Sequence, residues 1–296
     1  MSDLSPPRLS EIVLASEKGS NLRSLGDILV RDGLISASDI ALIAKFQEEQ
    51  GIRFGEAAVR LELVSEAELM QALSRQYDYP YLDRGDDSIS AEVVAAFDPF
   101  SPVVEQLRGL RSQLLVRWFG EKKHKTLALV SPGSGEGRSF LSANLAVLFA
   151  QLGERTLLID ANLREPCQHR LFRLGNRAGL ANLLAGRCEL DDAIDHVATL
   201  PHLSVMPAGM VPPNPQELLS RPRMGELLIL LRQHFDVILL DTPPASGMAD
   251  AGIVARWAAG ALIVAQRNQS SASALSALAK DLEQAQIPRV GCVINR

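Results

Sequence analysis

From residue 126 onward, short uninterrupted apolar runs alternate with longer stretches whose apolar positions recur every third or fourth residue. Runs of the first kind mark strands buried on both faces, and the second pattern marks helices packed across them. Strands are predicted at 126–131, 156–160, 203–207, 237–241, 261–265 and 290–294. Helices are predicted over 137–152, 215–233, 249–256 and 271–284. Alternation of this kind predicts a mostly parallel sheet with helices on both sides, one α/β domain over 102–296 that opens with a helix at 102–120.

The front of the chain has another texture. Between Ser24 and Tyr81 the sequence repeats with a period of 29: Leu25-Gly26 answers Phe54-Gly55, and Val30 answers Val59. Ile35-Ser36 answers Val64-Ser65, Ile40 answers Leu69, and Gln47 answers Gln76. Each copy reads as a short helix after the glycine, a serine cap (Ser36, Ser65) and a longer helix of period near 3.6. Glu68, three residues after Ser65, completes a capping box. Two such hairpins predict a small all-α domain over 21–83. A polar arm precedes it at 1–20, with a short helix at 9–16, and the polar stretch 84–101 is expected to be a linker.

Composition narrows the class. Hydrophobic residues make up 47% and charged ones 22%, which excludes a disordered or low-complexity chain. A balance of 35 acids to 30 bases, net −5, argues against a nucleic-acid role. The longest apolar stretch, 257–265, falls far short of the roughly 20 residues of a spanning helix, and residues 1–11 show no signal-peptide pattern. Three cysteines without ligand spacing (Cys167, Cys188, Cys292) point to a reducing cytoplasm rather than to disulfides or zinc. The three tyrosines are Tyr77, Tyr79 and Tyr81, whose rings are expected to finish the helical core.

The chemistry gathers where strands end. The first strand of the α/β part runs into Ser131-Pro132-Gly133-Ser134-Gly135-Glu136-Gly137-Arg138-Ser139, and a helix opens at once. A glycine-rich turn between strand and helix lets backbone N–H groups surround an anion, and the helix N-terminus adds donors and a positive dipole end. The usual pattern closes with Gly-Lys-Ser/Thr; here Arg138 stands for the lysine. Leu157-Leu158-Ile159-Asp160 and Val237-Ile238-Leu239-Leu240-Asp241 each place a carboxylate at a strand's C-terminal edge, where ligands of open α/β sheets bind. Carboxylates there can hold magnesium, directly or through water. A nucleoside triphosphate with Mg²⁺ is the economical reading.

These three stretches, with Asp160-Ala161-Asn162-Leu163-Arg164-Glu165-Pro166, Asp241-Thr242-Pro243-Pro244 and Pro212-Pro213-Asn214-Pro215, resemble the bacterial tyrosine kinases of capsule and exopolysaccharide export, in the chain-length-determinant branch. The resemblance covers about 102–296. It implies a P-loop NTPase domain in which Gly133, Ser134, Gly135, Glu136, Gly137, Arg138, Ser139 and Phe140 cradle ATP, and Asn295 touches the adenine. It further implies that Ser139, Asp160 and Asp241 serve Mg²⁺, with Asp160, Arg138 and Asp241 catalytic. Glu105, Arg108 and Arg111 match a Glu-x-x-Arg-x-x-Arg element that assembles subunits into a ring in that family. The implied partner is an inner-membrane polysaccharide copolymerase, so the protein would be cytoplasmic and peripheral to the membrane.

Three departures stand out: Arg138 for lysine, Asn162 for the second aspartate of the Walker A′ motif, and no tyrosine after Tyr81, where the family carries a tyrosine-rich tail. They keep open an alternative, an ATP-gated switch or ATPase with little or no kinase activity. Residues 25–82 resemble the N-terminal domain of type II secretion and pilus ATPases. Protein docking is the reading taken there, with cyclic di-GMP binding the alternative, since Arg53-Phe54-Gly55 and Gln76 match but Ser24 stands where arginine is expected.

Overall fold

The computed structural model describes residues 24–66, 68–69, 72–73, 81–82, 85–121, 123–175 and 178–295. The expected arm at 1–20 lies outside the described residues, as do Gln76, Tyr77 and Tyr79. The chain divides into two compact units, Met1–Tyr79 and Pro80–Arg296.

In the first unit the repeat of the sequence becomes a repeat of burial. Helices α1 (Leu25–Arg31) and α3 (Phe54–Arg60) start 29 positions apart and each run seven residues; α2 (Ala37–Gln50) lies between them. The core consists of Ile28, Leu29, Ile35 and Ile43, with Ala57, Ala58, Val64 and Ala72, each 29 residues after its counterpart. Ile28, Leu29 and Ile43 of the first copy correspond to alanines in the second, so the two copies fill one core with unequal bulk. The serine caps form as expected. Ser36 closes a capping box with Asp39, and the Ser65 N–H donates to Glu68 Oε2 at 2.7 Å while the Glu68 N–H returns to Ser65 Oγ at 3.2 Å. A Cβ at Gly55 would lie 2.7 Å from Leu69 Cδ1, so α3 comes closer than a larger residue would allow.

The second unit is a seven-stranded sheet in the order β3-β4-β2-β5-β1-β6-β7. Its strands are β1 (Thr126–Val130), β2 (Thr156–Asp160), β3 (Asp195–His196), β4 (Leu203–Met206), β5 (Val237–Asp241), β6 (Ala261–Gln266) and β7 (Arg289–Asn295). All pairings are parallel except β3 on β4. Two apolar clusters, one on each face, fill the space between sheet and helices. All six expected strands are present. The extra one, β3, is two polar residues at the sheet's edge. The helix expected over 215–233 is broken into Pro215–Leu219 and Pro222–His234, because Pro222 cannot donate within a helix but suits its first turn.

The stretch 84–101 does not behave as a linker. It carries a short helix, α4 (Val94–Phe97), and buries Ile89, Val93, Ala95 and Ala96. It docks on α6 (Arg138–Gln151) through two side-chain amides: the Ala95 N–H donates to Asn144 Oδ1 at 2.9 Å, and Gln151 Nε2 donates to the Ala95 carbonyl at 3.0 Å. Between them in the chain comes α5 (Pro102–Leu114), which starts on Pro102 behind a Ser101 cap. Among the described residues, no helix is long and apolar enough to cross a membrane.

Candidate functional site

The loop after β1 turns on two glycines in the left-handed region, Gly135 at φ +76° and Gly137 at φ +89°. L-residues enter that region only at a cost, which explains glycine at both. Gly137 is doubly constrained, because a Cβ there would strike the Asn295 amide at the end of β7. The loop is laced by side chains, its own Glu136 and two from the segment after β6. Glu136 Oε2 accepts the Gly133 N–H at 2.9 Å, and its Oε1 accepts the Ser270 hydroxyl at 2.5 Å. The Ser134 carbonyl accepts from Gln269 Nε2 at 3.1 Å.

Arg138 does not reach outward. It is 6% exposed and lies beneath the loop, donating from Nε to the Thr242 carbonyl at 2.9 Å, and from Nη1 to the Gly133 carbonyl at 2.7 Å and to Ser131 Oγ. Burial lowers its pKa, against the pull of Asp241 and Glu136. The fork thus ties the glycine loop to the segment after β5, a task that suits several fixed donors better than a single ammonium.

β2 and β5 pair directly, with Asp160 opposite Asp241. Both carboxylates are fully buried. Burial first, then the Asp241 charge, raises the Asp160 pKa to about 7, and burial raises that of Asp241 as well. Asp160 holds its own loop: Oδ2 accepts the N–H groups of Cys167 and Gln168, both at 2.9 Å, and Oδ1 that of Asn162 at 3.2 Å. Asp241 accepts from the Ser139 hydroxyl and from Gln168 Nε2, the latter at 2.7 Å. Its Oδ1 is buried without a hydrogen bond. Two repelling buried acids, one with an orphaned oxygen, are a donor set that a divalent cation would satisfy. Among the described residues no three acidic, histidine or cysteine side chains could cage a metal alone. A Mg²⁺ that arrives with phosphate needs only one or two protein oxygens, phosphate and water completing its shell.

Asn162 has another task. Its Nδ2 donates to the Glu165 carbonyl at 2.8 Å and its Oδ1 accepts the Glu165 N–H at 3.2 Å. An aspartate could not make the first bond, so the amide there serves the turn. Gln168 and Cys167 escaped the sequence reading, having no local pattern. Cys167 Sγ lies 4.0 Å from Asp241 Oδ2, and burial with that charge pushes the thiol up to about 12. It is a neutral wall of the site.

Phe140 and Asn295 line a cavity of about 400 Å³ with Pro102, Gln106, Leu110 and Gly137. The charged residues on α5 do not share one solvated side. Arg108 bonds Glu105 at 3.1 Å and donates to Tyr81 Oη at 2.8 Å, whereas Arg111 donates to the Leu148 carbonyl of α6 at 3.0 Å. Tyr81 thus belongs to the α/β unit and not to the helical core.

A strand, a glycine loop and a helix beside two acidic strand ends on a parallel sheet define a P-loop NTPase domain. Residues 124–288 match a family described as an AAA domain. The tyrosine-protein kinase YwqD of Bacillus subtilis is 34% identical over 203 residues, 69% of this chain and 85% of that protein. The tyrosine-protein kinase etk of Escherichia coli K12 is 36% identical over 202 residues, 68% of this chain but 28% of that longer protein. The solved kinase domain of the Escherichia coli tyrosine kinase ETK matches with a TM-score of 0.67 and 34% identity, over 72% of this chain and 83% of that structure. The chain belongs to the bacterial tyrosine-protein kinase family.

Proposed function

We propose that this chain binds ATP with Mg²⁺ at the rim formed by β1, β2 and β5, and acts as a tyrosine kinase of exopolysaccharide synthesis that governs polymer length or export. The observation that carries this reading is the register pair Asp160–Asp241, two buried carboxylates beside a glycine loop that opens a helix. Such a pair is costly alone and favourable around a cation.

In this reading Ser139 and Asp241 hold Mg²⁺, with Asp160 beside them. The ion would neutralise charge on the transferred phosphoryl group. The amides from Ser134 to Phe140 receive the phosphates, the Gly133 N–H being held by Glu136, and the cavity at Phe140 and Asn295 receives the base. Asp160 spends three of roughly four lone-pair positions on its loop, which leaves one for the proton of an incoming hydroxyl. Arg138 stabilises the loop from beneath. The acceptor is a tyrosine on a partner or on a second copy, and an inner-membrane copolymerase is the partner expected to draw the chain to the membrane. Of the three charged residues on α5, Glu105 is the exposed one that a neighbouring copy would meet, Arg108 and Arg111 being bonded within the unit.

One observation favours the second reading, an ATP-gated switch. With Arg138 engaged by Ser131, Gly133 and Thr242, the loop presents no cation of its own to the outer phosphate. Incubation with γ-labelled ATP and Mg²⁺, with and without the cytoplasmic segment of a copolymerase, separates the two. Label on tyrosine supports the kinase. Free phosphate without labelled protein supports the switch, and neither product contradicts both.

A further inference from the structure

Gln168 belongs to none of the three motifs, yet it touches all of them. Its backbone N–H donates to Asp160 Oδ2 at 2.9 Å, and its Nε2 donates to Asp241 Oδ2 at 2.7 Å and to the Ser139 carbonyl at 3.2 Å. It opens the one-turn helix α7 (Gln168–Leu171) and has no exposed surface. A carboxamide nitrogen carries two hydrogens, and both are engaged. The orientation of the amide is therefore fixed: turned over, its oxygen would face a carboxylate and a carbonyl, two acceptors.

What remains is Oε1, which is buried and has no hydrogen bond; Asp241 Oδ1 is in the same condition. A residue wanted only for packing would need no polar atoms, and a leucine or methionine would fill the space without an orphaned acceptor. A carboxylate at 168 would supply oxygens but would add a third charge to a pair that already repels. A neutral amide supplies a donor on one side and an oxygen on the other. Two side chains that bond one another thus each keep a buried oxygen without a donor, Gln168 Oε1 and Asp241 Oδ1.

Resting on the nucleotide and cation reading above, we infer that Gln168 is a positioning residue for the cation. Its Nε2 fixes Asp241, and its Oε1 joins Asp241 Oδ1 in receiving the water around the metal. Through the Ser139 carbonyl the same amide links that seat to the first turn of α6, so the phosphate loop and the two acidic strands hold one geometry. Partners of this kind orient metal ligands and set affinity without binding the metal themselves.

The test is a titration of the full chain with Mn²⁺ in the presence of ADP, followed by the electron paramagnetic resonance of free Mn²⁺, with ADP binding measured separately in the absence of metal. Gln168→Met keeps length and removes both polar atoms. It should weaken Mn²⁺ binding in the ADP complex about tenfold, while metal-free ADP affinity stays within about twofold. Gln168→Glu keeps an oxygen but puts an acceptor where Nε2 holds Asp241 and the Ser139 carbonyl, and it should also weaken Mn²⁺ binding. Unchanged Mn²⁺ affinity in Gln168→Met, or an equal fall in ADP affinity with and without metal, overturns the inference. Should Gln168→Met fail to fold, unchanged or tighter Mn²⁺ binding in Gln168→Glu overturns it alone. Absence of Mn²⁺ uptake by the wild-type ADP complex would fail the cation reading itself, and this inference with it. Normal wild-type uptake beside an unaltered Gln168→Met sinks only the role of Gln168.

Discussion

Asp160 and Asp241 stand opposite one another at the ends of β2 and β5, both without exposed surface, and the two acids raise the cost of each other's charge. The pair makes stability depend on pH. Asp160 moves from an ordinary 3.8 to about 7 in the folded chain, so the native state holds a proton that the unfolded chain releases. Its contribution is full below the ordinary value and is lost as pH rises from about 3.8 through about 7. Thermal melts without ligand should show falling stability across that window, and saturating nucleotide with Mg²⁺ should flatten the fall. A level profile without ligand would contradict the burial of the pair.

Asp241→Asn removes one of the two charges and keeps the shape. Cation-free stability should hold or rise, because the repulsion is gone. Release of phosphate from ATP should drop at least about 100-fold, the usual loss when a charge aimed at the reacting group is removed. Turnover that survives in a folded Asp241→Asn protein would remove Asp241 from the cation site.

Arg138→Lys tests whether the arginine is a brace. A lysine cannot reach Ser131, Gly133 and Thr242 together, so urea unfolding should show a loss of about 1–3 kcal/mol, the range for buried charged hydrogen bonds. Freed from beneath the loop, the ammonium can turn to the phosphates, and turnover should rise. A more stable protein with slower turnover would reverse both assignments.

Motif comparison suggests that Asn162→Asp would restore a metal ligand. The turn says otherwise, because the Asn162 amide donates to the Glu165 carbonyl. An aspartate would set two acceptors 2.8 Å apart, so the variant should melt lower and gain no affinity for Mg²⁺ by calorimetry. Tighter Mg²⁺ binding would show that the side chain turns inward.

Asp250 is fully buried and bonds Arg164 at 2.7 Å, joining the loop after β2 to the helix Asp250–Ala258. Arg164→Ala leaves that carboxylate without its cation and, with Arg164 itself partly exposed, should cost about 1–3 kcal/mol in urea unfolding. A change below about 1 kcal/mol would place the pair with ordinary surface bridges.

The fold was largely legible because each central strand is an uninterrupted apolar run and each end carries its own punctuation. What escaped depends on contacts distant in sequence. β3 is defined by its bonds to β4, not by its two polar side chains. The stretch 84–101 looks like a linker until Asn144 and Gln151, about fifty residues on, supply its partners. At the site, the glycine loop and the acidic strand ends were readable from spacing and residue type. The inward turn of Arg138 was not, since Thr242 lies 104 positions away. Gln168 could not be found from local pattern at all, because its role is written in atoms of α6, β2 and β5.

The central claim is that a triphosphate and its cation share the rim where β1, β2 and β5 end. Isothermal titration of ATP into the full chain, with and without Mg²⁺ and beside Asp241→Asn, tests it most directly. The account predicts binding of one ATP per chain that tightens with Mg²⁺ in the wild type and loses that tightening in Asp241→Asn. No heat of binding to the folded wild type with Mg²⁺ present, or equal Mg²⁺ dependence in both proteins, would contradict it.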